Sequence, residues 1–328
     1  MTQRYWLILL LILTACSGGG TATLPAGETP TAVGTAVPAA TATPPPSPTN
    51  VTRVSARHVF LIVLENSEYR EIIGNNDLPY LNGLAAQYTV ADSYYAIRHP
   101  SLPNYLALLA GHTFEISTDC TSDCFRDDRN LVDALEAKGK TWKSYQEDLP
   151  AACFSGDGAG NYVLKHNPFL YFDDIRNDPQ RCNQVVPFTQ FVPDLEANRV
   201  PDFVWITPNL QHDMHDGPKA KSDRWLEELV PKIFASAAWQ EGGVLFITWD
   251  EGVTNKGCCV VAAGGRVPLL VISPEAAGGY HITARATHYS LLRTIEDLWG
   301  LEHLGRSADA DALPLFDLRA LTASVKAW

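Results

Sequence analysis

Basic residues and long apolar segments are both scarce in this chain of 328 residues. The 25 Lys and Arg residues are outnumbered by 37 Asp and Glu residues, which gives a formal net charge of −12. Such a surplus of negative charge argues against nucleic acid and against anionic lipid surfaces as bulk partners. The apolar run from Tyr5 to Leu13 is too short for a permanent membrane-spanning helix. Beyond the proline-rich stretch at residues 21–50, the sequence contains no second linker and no internal repeat.

The apolar run instead has the features of a short targeting signal. Arg4 is the only charged side chain before it, and Leu13 to Cys16 (LTAC) follows at its end. Small residues before a cysteine in this place resemble the bacterial lipoprotein processing site. We therefore expect residues 1–15 to be a lipoprotein signal peptide and Cys16 to carry the lipid that anchors the protein to a bacterial membrane, outside the cytoplasm. An ordinary secretory signal that is cut nearby is the alternative.

A stretch rich in Thr, Pro and Ala separates this signal from the rest of the chain. Thr21 to Asn50 has too few large apolar residues to bury a core, and its prolines favour the extended polyproline II conformation. We predict a lipidated stalk over residues 16–52, followed by one large domain over residues 53–328.

Six of the seven cysteines lie in this predicted domain. An even number of cysteines in an exported chain favours disulfides. Proximity along the chain favours the pairs Cys120–Cys124 and Cys153–Cys182, which leaves Cys258 and Cys259 as a vicinal pair or as free thiols. A zinc cluster is the alternative, but Cys-x-x-Cys pairs are not repeated in the sequence.

Four apolar runs have the composition of strands that are buried on both faces of a parallel sheet. They are His58 to Leu64, Val200 to Thr207, Gly243 to Trp249 and Val267 to Ile272. Helical patterns occur at Tyr105 to Ala110, Asn130 to Lys138, Ser222 to Ala238 and Thr287 to Trp299. This alternation predicts an α/β fold, with a mostly parallel central sheet and helices on both faces. We expect Thr113 to Asn183, which lacks clear periodicity, to be an insertion that is pinned by disulfides and forms one wall of a pocket.

Ser101 lies where a loop meets the first of these helical patterns. A serine in this place can be the N-cap, whose side-chain oxygen accepts a hydrogen bond from a free backbone N–H. The same place offers unpaired N–H groups and the positive end of the helix dipole, both of which favour a phosphate group. The local residues leave a simple cap and a nucleophile equally open.

Polar side chains follow three of the predicted strands. Glu65-Asn66 follows the first, Asp250-Glu251 follows the third, and the second leads into the segment 208–216. Ligands of open α/β sheets bind beyond the carboxyl ends of the strands, so we expect these groups to meet at one edge, near Ser101. Their oxygen atoms suit Mg²⁺, Ca²⁺ or Mn²⁺, and nearby histidines keep Zn²⁺ possible. A serine-hydrolase triad is the weaker alternative because no Gly-x-Ser-x-Gly motif surrounds Ser101.

Together these segments resemble the bacterial phosphoesterase family, which belongs to the alkaline phosphatase superfamily. The resemblance rests on LENS (64–67), HPSLPNY (99–105), PN (208–209), DMHD (213–216), TWDEG (248–252), RVP (266–268), ISP (272–274) and HYSLLRTIE (288–296). These motifs occur in order from about His58 to Gly305. The family includes acid phosphatases, phosphatidylinositol-3-phosphatase-like enzymes and phospholipases C. The resemblance therefore implies an alkaline-phosphatase-like fold and a phosphoesterase catalytic domain over residues 53–328.

The resemblance also implies which residues carry the chemistry. Ser101 would be a nucleophile that forms a phosphoserine intermediate, which water then hydrolyses. The ligands of a divalent metal ion would be Glu65, Asn66, Asp250 and Glu251. The ion would lower the pKa of the serine hydroxyl and screen the charge of the phosphate.

Histidines and further polar residues complete the implied site. His215 and His288 would bind the transferred phosphoryl group or protonate the leaving oxygen. Three residues are assigned to the substrate-binding group: Asn104 would fix the nucleophile turn or reach a phosphate oxygen, and Asp213 and Asp216 would orient His215. Two roles are equally open for His212: direct contact at the site, or support of a residue that makes such a contact. Packing without chemistry is expected for the remaining histidines, which are His58, His99, His112, His166, His281 and His303.

One departure from the family pattern bears on the substrate. Its phospholipases continue Glu-Asn with an Arg-Ser-Phe-Asp type of run, whereas this chain has Ser67 to Arg70 (SEYR). Together with the single short domain, this favours the acid phosphatase branch. We expect a membrane-anchored, extracytoplasmic enzyme that hydrolyses phosphate monoesters of a small molecule or a phospholipid headgroup. Phosphodiesterase activity of the phospholipase C type is the first alternative, and a ligand-binding lipoprotein without activity is the second. The oligomeric state is left open.

Overall fold

The computed structural model describes residues 56–274 and 278–314. These residues all belong to one structural unit of the chain, which spans residues 50–328. The predicted signal peptide, the lipid on Cys16 and the stalk lie outside the described residues. Within the two described ranges, every helix is too short or too polar to span a bilayer.

The described part of the chain alternates strands with helices. Its strands are β1 (His58–Leu64), β2 (Thr89–Ala91), β3 (Tyr94–Tyr95), β4 (Trp142–Gln146), β5 (Gly158–Ala159), β6 (Tyr162–Val163), β7 (Val185–Pro187), β8 (Phe203–Thr207), β9 (Gly243–Trp249), β10 (Leu269–Ile272), β11 (His281–Ile282) and β12 (Ala286–Thr287). Its α-helices are α1 (Tyr69–Ile72), α2 (Pro79–Gln87), α3 (Ser101–Ala110), α4 (Leu131–Ala137), α5 (Asp173–Arg176), α6 (Pro179–Cys182), α7 (Phe191–Glu196), α8 (Lys219–Ala235), α9 (Ala237–Gln240) and α10 (His288–Trp299). Short 3-10 helices occur at Leu164–His166, Pro168–Tyr171, Phe188–Gln190 and Gly305–Asp309.

An eight-stranded sheet forms the centre of the fold, in the order β11-β2-β10-β9-β1-β8-β4-β7. The five strands β9, β1, β8, β4 and β7 run parallel to one another, and β10 runs antiparallel to both β9 and β2. Val59 to Leu64 are completely buried, which requires cover on both faces of the sheet. Helices α3 and α10 pack against each other, and α8 contacts both α2 and α7. The prediction of a mostly parallel sheet covered by helices is confirmed.

The register of the central strands brings the polar segments together. Leu64 of β1 pairs with Trp249 of β9, so both strands end at the same level. On the other side of β1, Ile62 pairs with Ile206 of β8. Because all three strands run in the same direction, the residues that follow them leave the sheet at one edge.

The predicted insertion is wrong in one respect. Strand β4 lies inside the range Thr113 to Asn183, yet it pairs with β8 and β7 in the central sheet. Its sequence WKSYQ lacks an apolar run because two of its buried side chains are polar. Gln146 donates hydrogen bonds to the hydroxyls of Ser144 and Thr207, at 2.8 and 3.1 Å. These internal bonds satisfy the buried polar groups, which is why the strand tolerates them.

Helix α3 begins at Ser101 itself, with Pro100 as the residue before its first turn. Every one of its 10 residues is buried. Gly111 ends the helix with a φ of 68° in the left-handed region. A Cβ at this position would lie 2.0 Å from the backbone oxygen of Leu304, so glycine is needed for space as well as for conformation.

Two disulfides join the pairs predicted from sequence proximity, Cys120–Cys124 and Cys153–Cys182. The first closes a short loop just after Asp119, and the second connects the loop after β4 to helix α6. Cys258 and Cys259 are free thiols. The disulfide prediction is therefore confirmed for both bridges, and the open choice at the vicinal pair is resolved as two thiols.

Candidate active site

Glu65, Asn66 and Asp250 meet at the ends of the two central strands. Glu65 follows β1 and Asp250 follows β9, on neighbouring strands of the sheet. The backbone N–H of Asn66 donates to Oδ1 of Asp250 at 3.1 Å, and its side-chain amide donates to Oε2 of Glu65 at 2.8 Å. Asn66 has a φ of 47°, in a left-handed region that asparagine tolerates better than most residues. This backbone turn lets one residue contact both carboxylates.

The hydroxyl of Ser101 points at these carboxylates. Its Oγ donates to Oε2 of Glu65 at 3.0 Å, and the side chain is almost fully buried. Its hydrogen-bonding capacity is thus directed at Glu65, and no cap bond from it to the backbone of α3 is present. Of the two alternatives that the sequence left open, the helix cap does not agree with the structure, because Pro100 is the N-cap residue.

Four carboxyl groups, those of Glu65, Asp213, Asp250 and Glu251, are buried in this part of the structure and act on one another through their charges. The charge of Lys165 acts on two of them, which leaves negative charge in excess. Burial, followed by the charges of Asp250 and Asp213, raises the pKa of Glu65 well above its ordinary value. Burial also raises the pKa of Asp250 and that of Asp213 to about 6 each. Burial and the charge of Asp250 raise the pKa of Glu251 to about 9. Buried anions at such close range are unfavourable unless a cation accompanies them.

The chemistry of these side chains fits a hard divalent cation. Oδ2 of Asp250 and Oδ2 of Asp213 are buried and have no hydrogen-bond partner in the described structure. Free carboxylate oxygens together with the amide of Asn66 form a donor set that Mg²⁺, Ca²⁺ or Mn²⁺ prefers. Among the described residues, no three His, Cys, Asp or Glu side chains are already arranged as metal ligands. The donor chemistry is therefore in place, whereas a preformed ligand geometry is not.

His288, the first residue of α10, is buried beside Asp250 with both ring nitrogens engaged. Nε2 contacts the backbone oxygen of Asp250, and Nδ1 lies 2.7 Å from the hydroxyl of Tyr94. Because a carbonyl only accepts, Nε2 carries the proton and Nδ1 accepts from Tyr94. Burial lowers the pKa of His288 to about 4, so the ring is neutral at physiological pH. In this arrangement both ring nitrogens of His288 have protein partners, and its expected contact with a phosphoryl group stays a prediction.

His215 is the accessible histidine of the site. Its ring is about half exposed, and Nδ1 lies 2.9 Å from Oδ1 of Asp216. The backbone N–H of His215 donates to Oδ1 of Asp213 at 2.9 Å. The backbone oxygen of Asp213 in turn accepts from the N–H of Glu65 at 2.8 Å. Asp216 thus contacts the imidazole of His215, while Asp213 connects the histidine's backbone to the end of β1.

Asn104 directs its polar atoms at the backbone of the loop before Ser101. Its Oδ1 accepts hydrogen bonds from the backbone N–H groups of Ile97 and Arg98, at 2.9 and 3.1 Å. Its amide donates to the backbone oxygens of Arg98 and Pro100, at 2.7 and 3.2 Å. All polar atoms of this fully buried side chain are therefore used to brace the loop before Ser101. These contacts agree with the first of its two expected roles, fixing the turn that carries Ser101.

Sequence comparison identifies the family of this chain. The sequence model of the Phosphoesterase family matches residues 73–302. The chain belongs to the phosphoesterase family.

Curated relatives of this phosphoesterase occur in bacteria and fungi. A phosphatidylinositol-3-phosphatase of Mycobacterium tuberculosis is 33% identical over 261 residues, which cover 80% of this chain and 82% of the relative. A probable acid phosphatase of Kluyveromyces lactis is 32% identical over 271 residues, which cover 79% of this chain and 62% of the relative. An acid phosphatase of Aspergillus fumigatus is 30% identical, and the match covers 60% of its length. The chain thus spans somewhat less than two thirds of these two fungal relatives.

Solved structures share the fold of the phosphoesterase. A protein of the alkaline phosphatase superfamily from Vibrio parahaemolyticus matches with a TM-score of 0.55 at 13% identity, over 77% of this chain and 69% of that chain. The phosphonate monoester hydrolase of Agrobacterium radiobacter matches with a TM-score of 0.53 at 14% identity, over 80% and 77% of the two chains. At these identities the likeness supports the fold and nothing finer.

Tyr105 and His166 also contact the site of the phosphoesterase. No role was assigned to Tyr105 from the sequence, and packing was expected for His166. The hydroxyl of Tyr105 donates to Oε1 of Glu65 at 2.6 Å, and Nε2 of His166 lies 3.1 Å from the same oxygen. The two rings stack with centroids 5.5 Å apart. Tyr105 was detectable because it lies four residues after Ser101, on the same face of the helix. His166 comes from the predicted insertion, and its sequence surroundings contain no signal for the site.

His99 also contacts the site, although packing was expected for it. Its Nδ1 lies 2.7 Å from Oε2 of Glu251, and its Nε2 lies 3.1 Å from the backbone oxygen of Thr254. These contacts hold Glu251 at the rim of the carboxylate cluster. His212 instead pairs with Glu147 at 2.9 Å and stacks on Trp225, so it belongs to a separate network.

Proposed function

We propose that this phosphoesterase hydrolyses phosphate monoesters with Ser101 as the nucleophile. The observation that carries the proposal is the Ser101 hydroxyl, buried and directed at Glu65 within a cluster of carboxyl groups that lacks matching positive charge. A structural serine has no need of such surroundings. The names of the relatives, acid phosphatase and phosphatidylinositol-3-phosphatase, support monoesters as the substrate class.

The proposed cofactor is a divalent cation held by Glu65, Asn66, Asp250 and Glu251, with Oδ2 of Asp213 as a further available oxygen. When bound, such an ion lowers the pKa of a serine hydroxyl and neutralises charge on a phosphate group. The acidic composition of the cluster supports this assignment, as does the preference of oxygen donors for Mg²⁺, Ca²⁺ or Mn²⁺.

The residues of the chain divide the chemistry between them. Ser101 Oγ attacks phosphorus, the bond to the alcohol breaks, and the serine carries the phosphoryl group. Its hydroxyl proton has Glu65 as the nearest acceptor. The accessible His215, paired with Asp216, is placed to donate a proton to the departing alcohol. Water then attacks the phosphoserine, which releases inorganic phosphate and restores the hydroxyl.

A chromogenic assay tests the proposal directly. Metal-stripped protein is assayed with p-nitrophenyl phosphate, without metal and with added Mg²⁺, Ca²⁺, Mn²⁺ or Zn²⁺. We expect activity that depends on the added cation, and a loss of at least about a hundredfold, near 3 kcal/mol, in Ser101→Ala. The exposed Ser155 provides the matched control, since Ser155→Ala should retain wild-type turnover. Wild-type turnover in Ser101→Ala would exclude this nucleophile, and a phosphopeptide containing Ser101 after acid quenching would support it.

Phosphodiester hydrolysis is the second candidate function. A non-hemolytic phospholipase C of Burkholderia pseudomallei is 24% identical over 67% of this chain, which supports it more weakly. Comparing p-nitrophenyl phosphate with methyl p-nitrophenyl phosphate separates the two functions, because both release the same leaving group.

We further propose that Cys16 carries a lipid and that the enzyme acts outside the cytoplasm. The two disulfides support an oxidising compartment. In the producing bacterium, Cys16→Ala should move the protein out of the membrane fraction, and mass spectrometry of the mature N-terminus should find an acylated cysteine. An unmodified Cys16 in membrane-bound protein would contradict the anchor.

A further inference from the structure

An ammonium group and a helix N-terminus both bind one carboxylate beside the nucleophile. Nζ of Lys165 lies 2.8 Å from Oδ2 of Asp119. The other oxygen of that carboxylate, Oδ1, accepts a hydrogen bond at 3.0 Å from the backbone N–H of Leu102, the residue after Ser101. The Asp119 carboxylate therefore occupies an anion-binding position, next to Ser101 in the chain, that the ammonium group and the helix N-terminus form together.

Lys165 is held at the site by its chain neighbours. The next residue, His166, contacts Glu65 and stacks on Tyr105. Asp119 is held in place by the Cys120–Cys124 disulfide, which begins at the next residue. The side chains of Lys165 and Asp119 are 29% and 25% exposed, so a ligand that enters from solvent can reach both.

The charge of Lys165 acts on the same carboxylates that surround Ser101. It opposes the rise in the pKa of Glu65 and of Glu251 that burial causes. Although burial alone lowers the pKa of Lys165, Asp119 and Glu65 outweigh it and raise that pKa above its ordinary value. Lys165 is thus a charged ammonium within electrostatic reach of the reacting group.

Monoesters and diesters of phosphate differ in the charge that such a cation would meet. A monoester dianion presents one more anionic oxygen than a diester, in which that oxygen carries a second organic group. Resting on the phosphatase function proposed above, we propose that Lys165 determines specificity: its ammonium binds the anionic oxygen that a monoester has and a diester lacks. Asp119 holds the ammonium beside the first turn of α3, where it can make this contact.

The test compares two substrates with the same leaving group, p-nitrophenyl phosphate and methyl p-nitrophenyl phosphate, in three variants. Lys165→Met keeps the length of the side chain without its charge. We expect kcat/KM for the monoester to fall about 10- to 100-fold, the range for a lost hydrogen bond to a charged group, while kcat/KM for the diester changes less than about threefold. The KM for the monoester and the inhibition constant of inorganic phosphate should both rise.

Two further variants separate substrate recognition from a structural ion pair. Lys143→Met is the matched control, because Lys143 on β4 forms a comparable 2.8 Å pair with Asp194 on α7. The monoester-to-diester ratio of this variant should equal that of the wild type. Asp119→Asn removes the partner of Lys165 and keeps an oxygen for the N–H of Leu102. It should retain or raise the monoester-to-diester ratio, since the ammonium remains.

The outcomes distinguish this inference from the function on which it rests. An equal fall in the ratio for Asp119→Asn and Lys165→Met would assign the lysine to a structural ion pair and overturn the inference. A wild-type ratio in folded Lys165→Met would also overturn it, while leaving monoester hydrolysis intact. A wild-type protein that cleaves neither substrate in the presence of any added cation would overturn the proposed function as well.

Discussion

Asp213 should make the stability of the cation-free protein depend on pH. Burial raises the pKa of its carboxyl group from 3.8 to about 6. The folded state therefore holds this proton more tightly than the unfolded chain does. The resulting stabilisation is fully present below about pH 4 and is lost as the pH rises through about 6. The difference between the two pKa values corresponds to about 3 kcal/mol, at about 1.4 kcal/mol per pKa unit.

Asp213→Asn removes this titration and keeps an oxygen for the backbone N–H of His215. In metal-stripped protein at pH 8, the variant should be more stable than the wild type by up to about 3 kcal/mol. The advantage should disappear at pH 4, where the carboxyl group of the wild type is protonated. Urea unfolding followed by tryptophan fluorescence at pH 4, 6 and 8 measures the difference. Adding Mg²⁺ or Mn²⁺ at pH 8 should then stabilise the wild type more than the variant, because a ligand that binds only the folded state adds to its stability.

Glu296 provides the control for this experiment. It is a buried carboxyl group on α10, hydrogen-bonded to the Ser307 hydroxyl and the Leu304 N–H, and burial raises its pKa to about 7. The advantage of Glu296→Gln over the wild type should also grow as the pH rises, because the wild type loses the stabilisation of its protonated carboxyl group. The added cation, however, should stabilise this variant as much as it stabilises the wild type. If metal-stripped Asp213→Asn is no more stable than the wild type at pH 8, the raised pKa and the reasoning from an uncompensated carboxylate cluster are refuted. If the cation effect is unchanged in Asp213→Asn, Asp213 does not contribute to the cation site.

Three further substitutions test the other contacts of the site. Tyr105→Phe removes the 2.6 Å hydrogen bond to Glu65 and should lower kcat for p-nitrophenyl phosphate about tenfold, with little change in KM. An unchanged kcat would show that this hydrogen bond does not orient the carboxylate. His215→Gln should slow hydrolysis of phenyl phosphate about a hundredfold and p-nitrophenyl phosphate much less, since a poor leaving group needs the donated proton; equal losses would argue against a general acid. Asn104→Ala should lower the free energy of unfolding, measured by urea titration, by about 2 to 4 kcal/mol. The reason is that the four hydrogen bonds from this buried side chain to the loop before Ser101 are lost. A smaller loss of stability would mean that water replaces them.

The pattern of apolar residues along the chain was sufficient to predict the central strands of the fold. The runs in β1 and β9 have the bounds that the sequence predicts, since uninterrupted β-branched and aromatic residues are stable only where both faces of a strand are buried. Strand β4 escaped prediction because its buried Ser144 and Gln146 are polar and are satisfied only by hydrogen bonds within the sheet. Helix α8 begins at Lys219, earlier than the predicted Ser222, because polar residues of its first turn hide its start from an apolar pattern.

The residue pattern alone predicts which residue types reach the site and at which strand ends. Acidic residues directly after buried parallel strands must leave the sheet at one edge, so the sequence places Glu65 and Asp250 together. The groups that touch them are known only from the folded structure. Lys165 and His166 come from a short 3-10 helix, and Asp119 from a loop, whose positions depend on long-range packing and a disulfide. Asn104 directs its polar atoms at the backbone of the preceding loop, and His288 contacts the distant backbone oxygen of Asp250. Hydrogen bonds to the backbone leave no pattern in side-chain spacing, which is why the sequence did not predict these roles.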